Sequence, residues 1–483
     1  MHRQIQLNPD QLEAMKRIEH FLNTPSLDAF VLCGSAGTGK TTLVAMIIEL
    51  VKSLGMESML VAPTGRAAQI LQGKLNARLS FGRELVTVST IHSAIYYMAN
   101  LTVHSAPSTD SLDSFQMDFR LRPNGQSFDL LIVDEASMVS DECSPQQEVH
   151  FGSGKLLSDL IEYTQRLYQA GVVSRPIKFL FVGDLAQLPP VCSMPSPALS
   201  PVYLDTVFGL QSRRYELTTV MRQGDGSGVL ALARSIREEI FHPTGSGVQI
   251  PFNGRDISPI DFREAVQLIA NNVWQQRSSV AVVYSNAIAL QYNFGVREML
   301  RGDPYAPVMP KDCLLVTRNS PSTGLCNGDL VTVNSVMTST LTEEVRYPDG
   351  QRIELRFKEL RLQTGSGDGE VKHCLVLENL LFSHDRDYLA TVQQALRELV
   401  RRRNPYVDPE SAEFRELLKT EPYGNALQVR FGYALTCHKA QGGEWGQVIV
   451  DSTDIRGSAE ERLRWLYTAV TRASSSLLFV PSW

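Results

Sequence analysis

Cysteines are few and widely scattered in this sequence. Its 483 residues contain seven, and no two of them form a Cys-x-x-Cys pair. Zinc sites and disulfide frameworks both rely on cysteines at short, recurring spacings, so neither is expected here. This cysteine usage favours a reducing compartment, and we expect the protein to be cytoplasmic.

Long apolar runs are also missing. No run reaches the ~18 residues that would indicate a membrane span, and the N-terminal stretch MHRQIQLNPDQ lacks the apolar core of a signal peptide. We therefore expect no membrane partner. The net charge of -6 argues against a protein that coats long duplexes through phosphate contacts, although it leaves room for a locally basic groove.

Short apolar strands alternate with helical stretches in the first part of the chain. Continuous apolar strands between helices are typical of a parallel sheet that is covered on both faces. The strands are predicted at 29–34, 58–63, 129–135 and 177–184. Residues 97–128 interrupt this pattern, because they are rich in Ser, Asp and Asn, and we predict a small β-hairpin insert there.

A second α/β pattern begins after Gly224, with a strand at 279–284 between two helical stretches. Residues 311–382 change to short strands joined by turns, which predicts a small barrel. Residues 383–424 are charged and helical, and the α/β pattern then resumes. We therefore expect one α/β domain over 1–224 and a second over 225–483, the second interrupted by a barrel and a helical insert.

The strongest motif is a phosphate-binding loop. It matches GxxxxGK[ST] and lies between a strand and a helix, which is the context that such a loop requires. Backbone amides and the helix N-terminus would hold the phosphates of ATP. Lys40 would reach the β- and γ-phosphates, and the Thr41 hydroxyl would bind Mg²⁺. The loop residues are Gly34, Ser35, Ala36, Gly37, Thr38, Gly39, Lys40 and Thr41.

Two further strand ends carry candidate catalytic residues. Asp134 and Glu135 end the apolar strand LLIVDE. Asp134 would hold Mg²⁺, and Glu135 would deprotonate the attacking water. A solvated pair of charges at a strand end is the alternative, which the upstream phosphate-binding loop makes less favourable. Gln187, in GDLAQLPP, could sense the γ-phosphate, although GD at a strand end is also ordinary turn chemistry.

Together these motifs resemble those of superfamily 1 helicases, and within them the 5′→3′ group of RecD-like and Dda-like enzymes. The resemblance covers nearly the whole chain, with the motifs in the family's order. They are LNPDQLEAMKRI, GSAGTGKTT, VAPTGRAA, STIHSAI, IVDEASMV, VGDLAQLPPV, LTTVMRQ, YALTCHKAQGGEW and YTAVTRA. The resemblance implies two RecA-like P-loop NTPase domains with ATP bound between them.

The resemblance also assigns nucleotide contacts. Gln11 would read adenine, and Arg222 and the arginine finger Arg472 would contact the γ-phosphate. Positive charge at this phosphate is worth ~10³–10⁵ in rate. The remaining nucleotide-binding residues that it implies are Thr42, Gly443 and Glu444. Met221 replaces a tyrosine that stacks on adenine in many relatives, so other nucleoside triphosphates are an open alternative.

A second set of residues is expected to contact nucleic acid. Hydroxyls, imidazoles and backbone amides suit contacts to phosphate that do not depend on base sequence. An ordinary buried or capping histidine is the alternative for His92, and a solvated lysine for Lys439. The residues that the resemblance assigns to DNA are Pro63, Thr64, His92, Thr436, His438 and Lys439.

The inserts match the layout of this family. Residues 97–128 occupy the position of the pin that splits duplex DNA, and 311–382 that of a Src-homology-3-like β-barrel. The pin candidate is polar and has no aromatic wedge. The helical insert at 383–424 has no assigned role, and we interpret its Arg401–Arg403 cluster as a solvated face, with DNA contact as the alternative.

The sequence therefore predicts an ATP-dependent DNA helicase that moves 5′→3′ along single-stranded DNA and acts in repair, recombination or replication. The expected partners are single-stranded DNA, junctions of single- and double-stranded DNA, and other repair or replication proteins. A monomer would suffice, because both arginines lie in the same chain. The alternatives are an RNA helicase of the same superfamily and a nucleotide-switched binding protein.

Overall fold

The computed structural model describes residues 7–78, 86–104, 114–143, 149–190, 196–220, 227–245, 247–320, 322–346, 352–364, 370–383 and 386–481. Arg222 and Met221 lie outside these ranges. In the described part of the chain, no helix is long and apolar enough to cross a membrane.

The first half of the chain folds around a parallel sheet. Its strands are β1 (Ala29–Gly34), β2 (Ser58–Ala62), β3 (Val88–Thr90), β4 (Tyr96–His104), β5 (Ser114–Leu121), β6 (Leu130–Val133), β7 (Val149–Phe151), β8 (Lys178–Gly183) and β9 (Ser212–Leu217). Its helices are α1 (Pro9–Asn23), α2 (Lys40–Ser53), α3 (Gly65–Asn76), α4 (Ile91–Ile95), α5 (Leu156–Gln169) and α6 (Pro201–Phe208).

Six of these strands form the first sheet, in the order β3-β2-β6-β8-β1-β9, and every pairing is parallel. Alternate side chains enter two separate cores, one with α1–α3 and the other with α4–α6. The four predicted strands are confirmed. The sequence patterns missed β3, which is very short, and β9, whose SRRYEL sequence is polar because it lies at the sheet edge.

The strands β4, β5 and β7 form a separate small sheet. The antiparallel pair β4–β5 confirms a hairpin within the predicted insert. However, β7 pairs with β5 in parallel and comes from beyond residue 128. The predicted boundary is therefore too short, because a parallel partner must return by a longer connection than a hairpin turn.

The second half contains strands β10 (Ile257–Pro259), β11 (Ser279–Val283), β12 (Cys313–Val316), β13 (Leu330–Val336), β14 (Leu341–Arg346), β15 (Arg352–Thr364), β16 (Val371–Leu377), β17 (Leu427–Phe431), β18 (Ala434–Thr436), β19 (Trp445–Asp451) and β20 (Ala473–Val480). Its helices are α7 (Gly228–Phe241), α8 (Phe262–Trp274), α9 (Asn286–Arg301), α10 (Arg386–Arg403), α11 (Ala412–Thr420), α12 (Cys437–Ala440) and α13 (Ala459–Val470).

The second sheet has the order β10-β20-β19-β11-β18, and it is also parallel throughout. Helices α8 and α9 cover one face, and α7 and α13 cover the other. The predicted α/β class with two parallel sheets is confirmed. We refer to the parts built on these two sheets as the first unit and the second unit.

The barrel forms a closed ring of strands. In order around the ring these are β13, β12, β17, β16 and β15, and β15 pairs with β13 to close it, while β14 extends from β15. We expected the α/β pattern to resume with the stretch VRFGYALTCHKAQ, and that expectation is wrong for residues 429–431, because β17 pairs with β12 and β16. The Src-homology-3-like topology stays a prediction.

The helical insert packs against the barrel and the hairpin sheet. Val400 of α10 and Phe414 of α11 are fully buried and form a small core with Met117 of β5. The Arg401–Arg403 cluster is partly exposed, and its guanidinium groups pair with carboxylates of the insert and barrel, namely Glu343, Glu398 and Glu421. These ion pairs favour a structural surface over a DNA contact.

Candidate functional site

The carboxyl ends of the first sheet's strands carry most of the predicted site residues. The phosphate-binding loop follows β1, Asp134 follows β6, and Asp184 follows β8. These three strands are neighbours in the sheet and run parallel, so the residues lie along one edge. Ligands of open α/β sheets bind at this edge.

The phosphate-binding loop has the local geometry that its glycines predict. Gly37 and Gly39 have φ angles of 83° and 86°, and α2 starts directly afterwards at Lys40. The positive φ of Gly39 would strain any side chain there, and a Cβ would also lie 2.4 Å from the Gln11 amide nitrogen. The Lys40 Nζ donates to the carbonyls of Gly34 (2.7 Å) and Ser35 (3.1 Å), and it therefore folds back over the loop.

Gln11 contacts the phosphate-binding loop directly. Its Nε2 donates to the Thr38 carbonyl at 3.0 Å, and its Oε1 accepts from the Asn8 amide at 3.2 Å. The side chain is buried, and the same residues form the capping box of α1. In this conformation the amide holds the loop, while adenine recognition by Gln11 stays a prediction.

Asp134 and Glu135 are half-buried at the end of β6. Burial and the neighbouring Glu135 charge raise the pKa of Asp134 to about 7. A divalent cation would favour its ionised form, so the carboxylate beside Lys40 and the first turn of α2, which carries Thr41, suit Mg²⁺. Glu135 has a left-handed φ of 50°, a conformation that costs non-glycine residues energy and is common at functional sites.

Asp184 is more than a turn residue. Its side chain is fully buried, and it accepts hydrogen bonds from the Arg237 guanidinium (2.7 Å), the Tyr467 hydroxyl (2.7 Å) and the Ala186 amide (3.0 Å). Arg237 also donates to Glu216. The carboxylate therefore joins the first sheet to α7 and α13 of the second unit.

Gln187 lies in the loop that follows Asp184. It is 5% exposed, and its Oε1 has no hydrogen-bond partner within the part of the chain that the structure describes. A buried amide oxygen without a partner is costly, and such groups are commonly completed by a ligand or water. This state is compatible with the predicted sensor role, which stays a prediction.

Arg472 follows α13 and is 5% exposed. Its Nε donates to the Thr468 carbonyl (2.9 Å), its Nη1 to the Gly443 carbonyl (3.2 Å) and its Nη2 to the Thr471 hydroxyl (3.0 Å). The structure thus brings Arg472 and Gly443 together. Of the other predicted nucleotide contacts, Glu444 is exposed, and Thr42 accepts a hydrogen bond from Arg78.

A cavity of about 350 Å³ opens beside the start of the phosphate-binding loop, between the two units. Ser35 and Ala36 line one side, and Arg234 and Arg237 of α7 line the other with Tyr467. The sequence patterns did not indicate these α7 arginines, because they lie on a regular amphipathic helix outside any recognised motif. Arg222 lies outside the described residues.

The first half of the predicted nucleic-acid set follows β2 and β3, which are adjacent and parallel. Pro63 and Thr64 follow β2, and the Thr64 hydroxyl caps α3 by accepting from the Ala67 amide at 3.2 Å. His92, on α4 after β3, packs edge-on against Phe151 at 4.9 Å between ring centroids. Burial lowers the pKa of His92, which favours its neutral form near pH 7.

The second half lies at the end of β18. Thr436 ends this strand, while the exposed His438 and half-buried Lys439 lie on α12. Burial, together with the nearby Arg430, lowers the pKa of Lys439 to about 8.

Arg66 of α3 lies two residues after Thr64 and contacts both the barrel and the second unit. Its Nη1 donates to the Gly328 carbonyl of the barrel at 3.1 Å, and its guanidinium lies 4.6 Å from the Trp445 ring centroid. A Cβ on Gly442 would lie 3.5 Å from Ala67, so the loop after α12 also reaches α3. The sequence patterns did not indicate Arg66 as a link between the units.

Two family models match the chain. Residues 23–193 match an AAA domain, and residues 431–480 match a UvrD-like helicase C-terminal domain. The first contains the phosphate-binding loop, Asp134, Glu135 and Gln187, and the second contains Thr436, His438, Lys439 and Arg472.

The ATP-dependent RecD2 DNA helicase of Deinococcus radiodurans is 24% identical over 457 residues. These residues are 92% of this chain and 45% of RecD2. The resemblance to superfamily 1 helicases is confirmed. An uncharacterised protein of Acanthamoeba polyphaga mimivirus matches this chain at 22% identity, over 97% of the chain and 98% of the viral protein.

Among solved structures, the Pif1 helicase from Bacteroides, in complex with ADP-AlF3 and single-stranded DNA, matches with a TM-score of 0.49 at 17% identity. The alignment covers 99% of this chain and 92% of the Pif1 chain. The chain spans less than half the length of RecD2.

Proposed function

We propose that this protein is an ATP-dependent DNA helicase that translocates 5′→3′ on single-stranded DNA and unwinds duplex DNA. One observation carries the proposal. The loop after β8, at the edge that holds the phosphate-binding loop and the Asp134–Glu135 pair, is bonded to the helix that leads to Arg472 in the second unit. Hydrolysis in the cleft between the units can thus change how they sit together.

The residues of the cleft would each have a separate role in phosphoryl transfer. Bound ATP and Mg²⁺ would supply the reacting γ-phosphate and a divalent charge between Thr41 and Asp134. Lys40 would release the carbonyls of its own loop and donate to the phosphates. Glu135 would take the proton of the attacking water, and Arg472 would neutralise the charge that develops on the γ-phosphate.

Movement requires that nucleotide binds the closed and open forms of the cleft with different affinity. Arg472 and Gly443 lie on the second unit, while Lys40 and Glu135 lie on the first. Contacts from both units to the γ-phosphate favour closure, and their loss on hydrolysis favours opening. The single-stranded DNA would run past Thr64 and Lys439, so each cycle would change the spacing between these two contacts.

The first test is the ATPase rate with and without single-stranded DNA, for the wild type and Glu135→Gln. We expect many-fold stimulation by DNA in the wild type. We expect loss of about 10²-fold or more in kcat for the variant, because general-base catalysis contributes this much. The substitution removes the base without removing side-chain volume, so ATP binding, measured with a fluorescent analogue, should persist.

Duplexes with a 5′ or a 3′ single-stranded tail then test polarity. Unwinding only from the 5′ tail supports the proposal. Stimulation by RNA but not DNA would indicate an RNA helicase, and an ATPase that neither nucleic acid stimulates would indicate a nucleotide-switched binding protein.

A further inference from the structure

The loop after β8 belongs to the first unit by sequence but to the second unit by packing. Ala186 and Leu188 are 0% and 8% exposed, and both lie in the core that includes Leu232 of α7 and Trp465 of α13. This core is the one between the second sheet and its helices α7 and α13. The loop is therefore held by the second unit although β8 anchors its start in the first sheet.

Hydrogen bonds fix the same loop to α13. The Leu188 amide donates to the Thr468 hydroxyl at 2.9 Å, and Arg464 donates to the Leu185 carbonyl. Gln441, before β19, donates to the Leu188 carbonyl at 3.1 Å. The Tyr467 hydroxyl completes the set by donating to Asp184 at 2.7 Å.

The α13 residues that bond to the loop after β8 lie on one face of the helix. Tyr467 and Thr468 follow Arg464 by three and four residues, a spacing that places their side chains next to that of Arg464 on a helix. The Thr468 carbonyl on this same turn accepts from the Nε of Arg472. The contacts that seat α13 on the loop therefore also set where the Arg472 guanidinium lies.

Tyr467 is the member of this group that also reaches the phosphate-binding loop. Together with Ser35 and Ala36, Tyr467 lines the cavity beside this loop. A buried carboxylate such as Asp184 needs its donors, since an unpaired buried charge is costly. The Tyr467 hydroxyl thus donates from the second unit to a carboxylate at the end of β8 in the first sheet.

We propose that Tyr467 is a positioning residue for ATP hydrolysis, whose hydroxyl bond to Asp184 keeps Arg472 and Gln187 in one rigid piece facing the phosphate-binding loop. This inference rests on the proposed function and gives a role to Tyr467, a residue of the YTAVTRA motif for which the resemblance implied none. Tyr467 acts through Arg472 and Gln187, so it changes the rate of the chemical step more than the binding of ATP.

Tyr467→Phe tests the proposal, because it removes one oxygen atom and keeps the ring. Tyr292→Phe is the matched control, since the Tyr292 hydroxyl donates to the buried Asp451 at 2.9 Å within the second unit and away from the cleft. Both variants lose one buried Tyr–Asp hydrogen bond, so we expect similar falls in melting temperature. Steady-state ATPase kinetics with and without single-stranded DNA, as a function of ATP, separate kcat from KM.

We expect Tyr467→Phe to lower kcat about tenfold or more while KM for ATP changes less than about twofold, the pattern of a contact needed mainly in the transition state. Tyr292→Phe should keep kcat near the wild-type value. Equal kcat in the two variants, or a loss in Tyr467→Phe that appears only in KM, would overturn the proposal. The ATPase rate without DNA tests the role of Tyr467 separately from the helicase function. A wild-type protein that DNA fails to stimulate would contradict only the helicase proposal.

Discussion

Lys439 is a lysine whose charge changes close to neutral pH. Its pKa is lowered to about 8, because it is partly buried and Arg430 is nearby. A lysine carries its positive charge below its pKa, so Lys439 is mostly charged at pH 7 and loses the charge as the pH rises through about 8. Only the charged form attracts a phosphate.

We therefore expect the affinity for single-stranded DNA to fall as the pH is raised from about 7 to about 9. Lys439→Arg should weaken this dependence, because arginine stays protonated throughout this range. Fluorescence anisotropy with a labelled oligonucleotide at fixed salt would measure both. The same pH slope in the two proteins would show that Lys439 does not contact the phosphates.

Residue-level prediction succeeded where a role is encoded in neighbouring positions. The spacing from Gly34 to Thr41 placed the phosphate-binding loop correctly between β1 and α2. The hydrogen bond between Asp184 and Tyr467 joins residues 283 positions apart, and no local sequence pattern predicts such a pair. Both residues lie in motifs of the family, VGDLAQLPPV and YTAVTRA, but neither motif indicates that they pair.

For the helical insert, the structure shows contacts that its sequence did not predict. Its sequence predicted helices without a role, whereas the structure seats α10 on the barrel and joins α10 and α11 to the hairpin sheet through Val400, Phe414 and Met117. This contact gives the hairpin a support on the second unit. The predicted pin role of the hairpin remains a hypothesis, and the contact makes it testable.

Phe414→Ala should separate unwinding from ATP hydrolysis. Removing a buried phenylalanine ring costs about 3–5 kcal/mol, so α11 should detach from Met117 and leave the hairpin sheet less firmly held. We expect unwinding of a tailed duplex to fall several-fold while DNA-stimulated ATPase stays near the wild-type rate. Phe414→Leu, which keeps most of the volume, is the control and should retain both activities.

Gel assays of strand separation alongside ATPase measurements on the same preparations would decide this point. A parallel fall in both activities would mean that the insert supports the whole fold, and that the hairpin has no separate part in unwinding.

Elements were predictable where their hydrophobic pattern is unambiguous. Fully apolar strands such as β1 and β8 were identified within a residue or two. The edge strand β9 was missed, because its exposed position allows polar residues. The barrel strand β17 was assigned to the wrong sheet, because its apolar sequence fits either, and only tertiary pairing decides between them.

At the scale of the molecule, Arg66 connects three parts that are distant in sequence. It lies on α3 of the first unit, donates to Gly328 of the barrel and stacks over Trp445 of the second unit. Burial lowers its pKa to about 10, although the nearby Asp329 acts in the opposite direction. The guanidinium is therefore charged at neutral pH.

Arg66→Lys should lower the melting temperature by a few degrees, because lysine keeps the charge but loses the planar stack and the forked hydrogen bonding. A buried cation–π contact is worth about 2 kcal/mol. Trp445→Leu combined with Arg66→Lys should then cost less than the sum of the single variants. Arg17→Lys is the control, since Arg17 lies over Tyr215 within the first unit and is largely exposed. Additive effects would contradict a direct coupling.

The barrel and the helical insert interrupt the second sheet in sequence, and this affects how the chain folds during its synthesis. In the part of the second sheet that the structure describes, β10 pairs with β20 alone, and β11 pairs with β18 and β19, which follow the entire barrel and helical insert. The first sheet can assemble once β9 has left the ribosome. The second must hold the apolar strand β11 unpaired for well over a hundred residues of synthesis, and non-local pairing of this kind is slow and prone to aggregation. The barrel also cannot close early in synthesis, because its strand β17 follows the helical insert. The nascent second unit is therefore the part of this protein that most needs a chaperone.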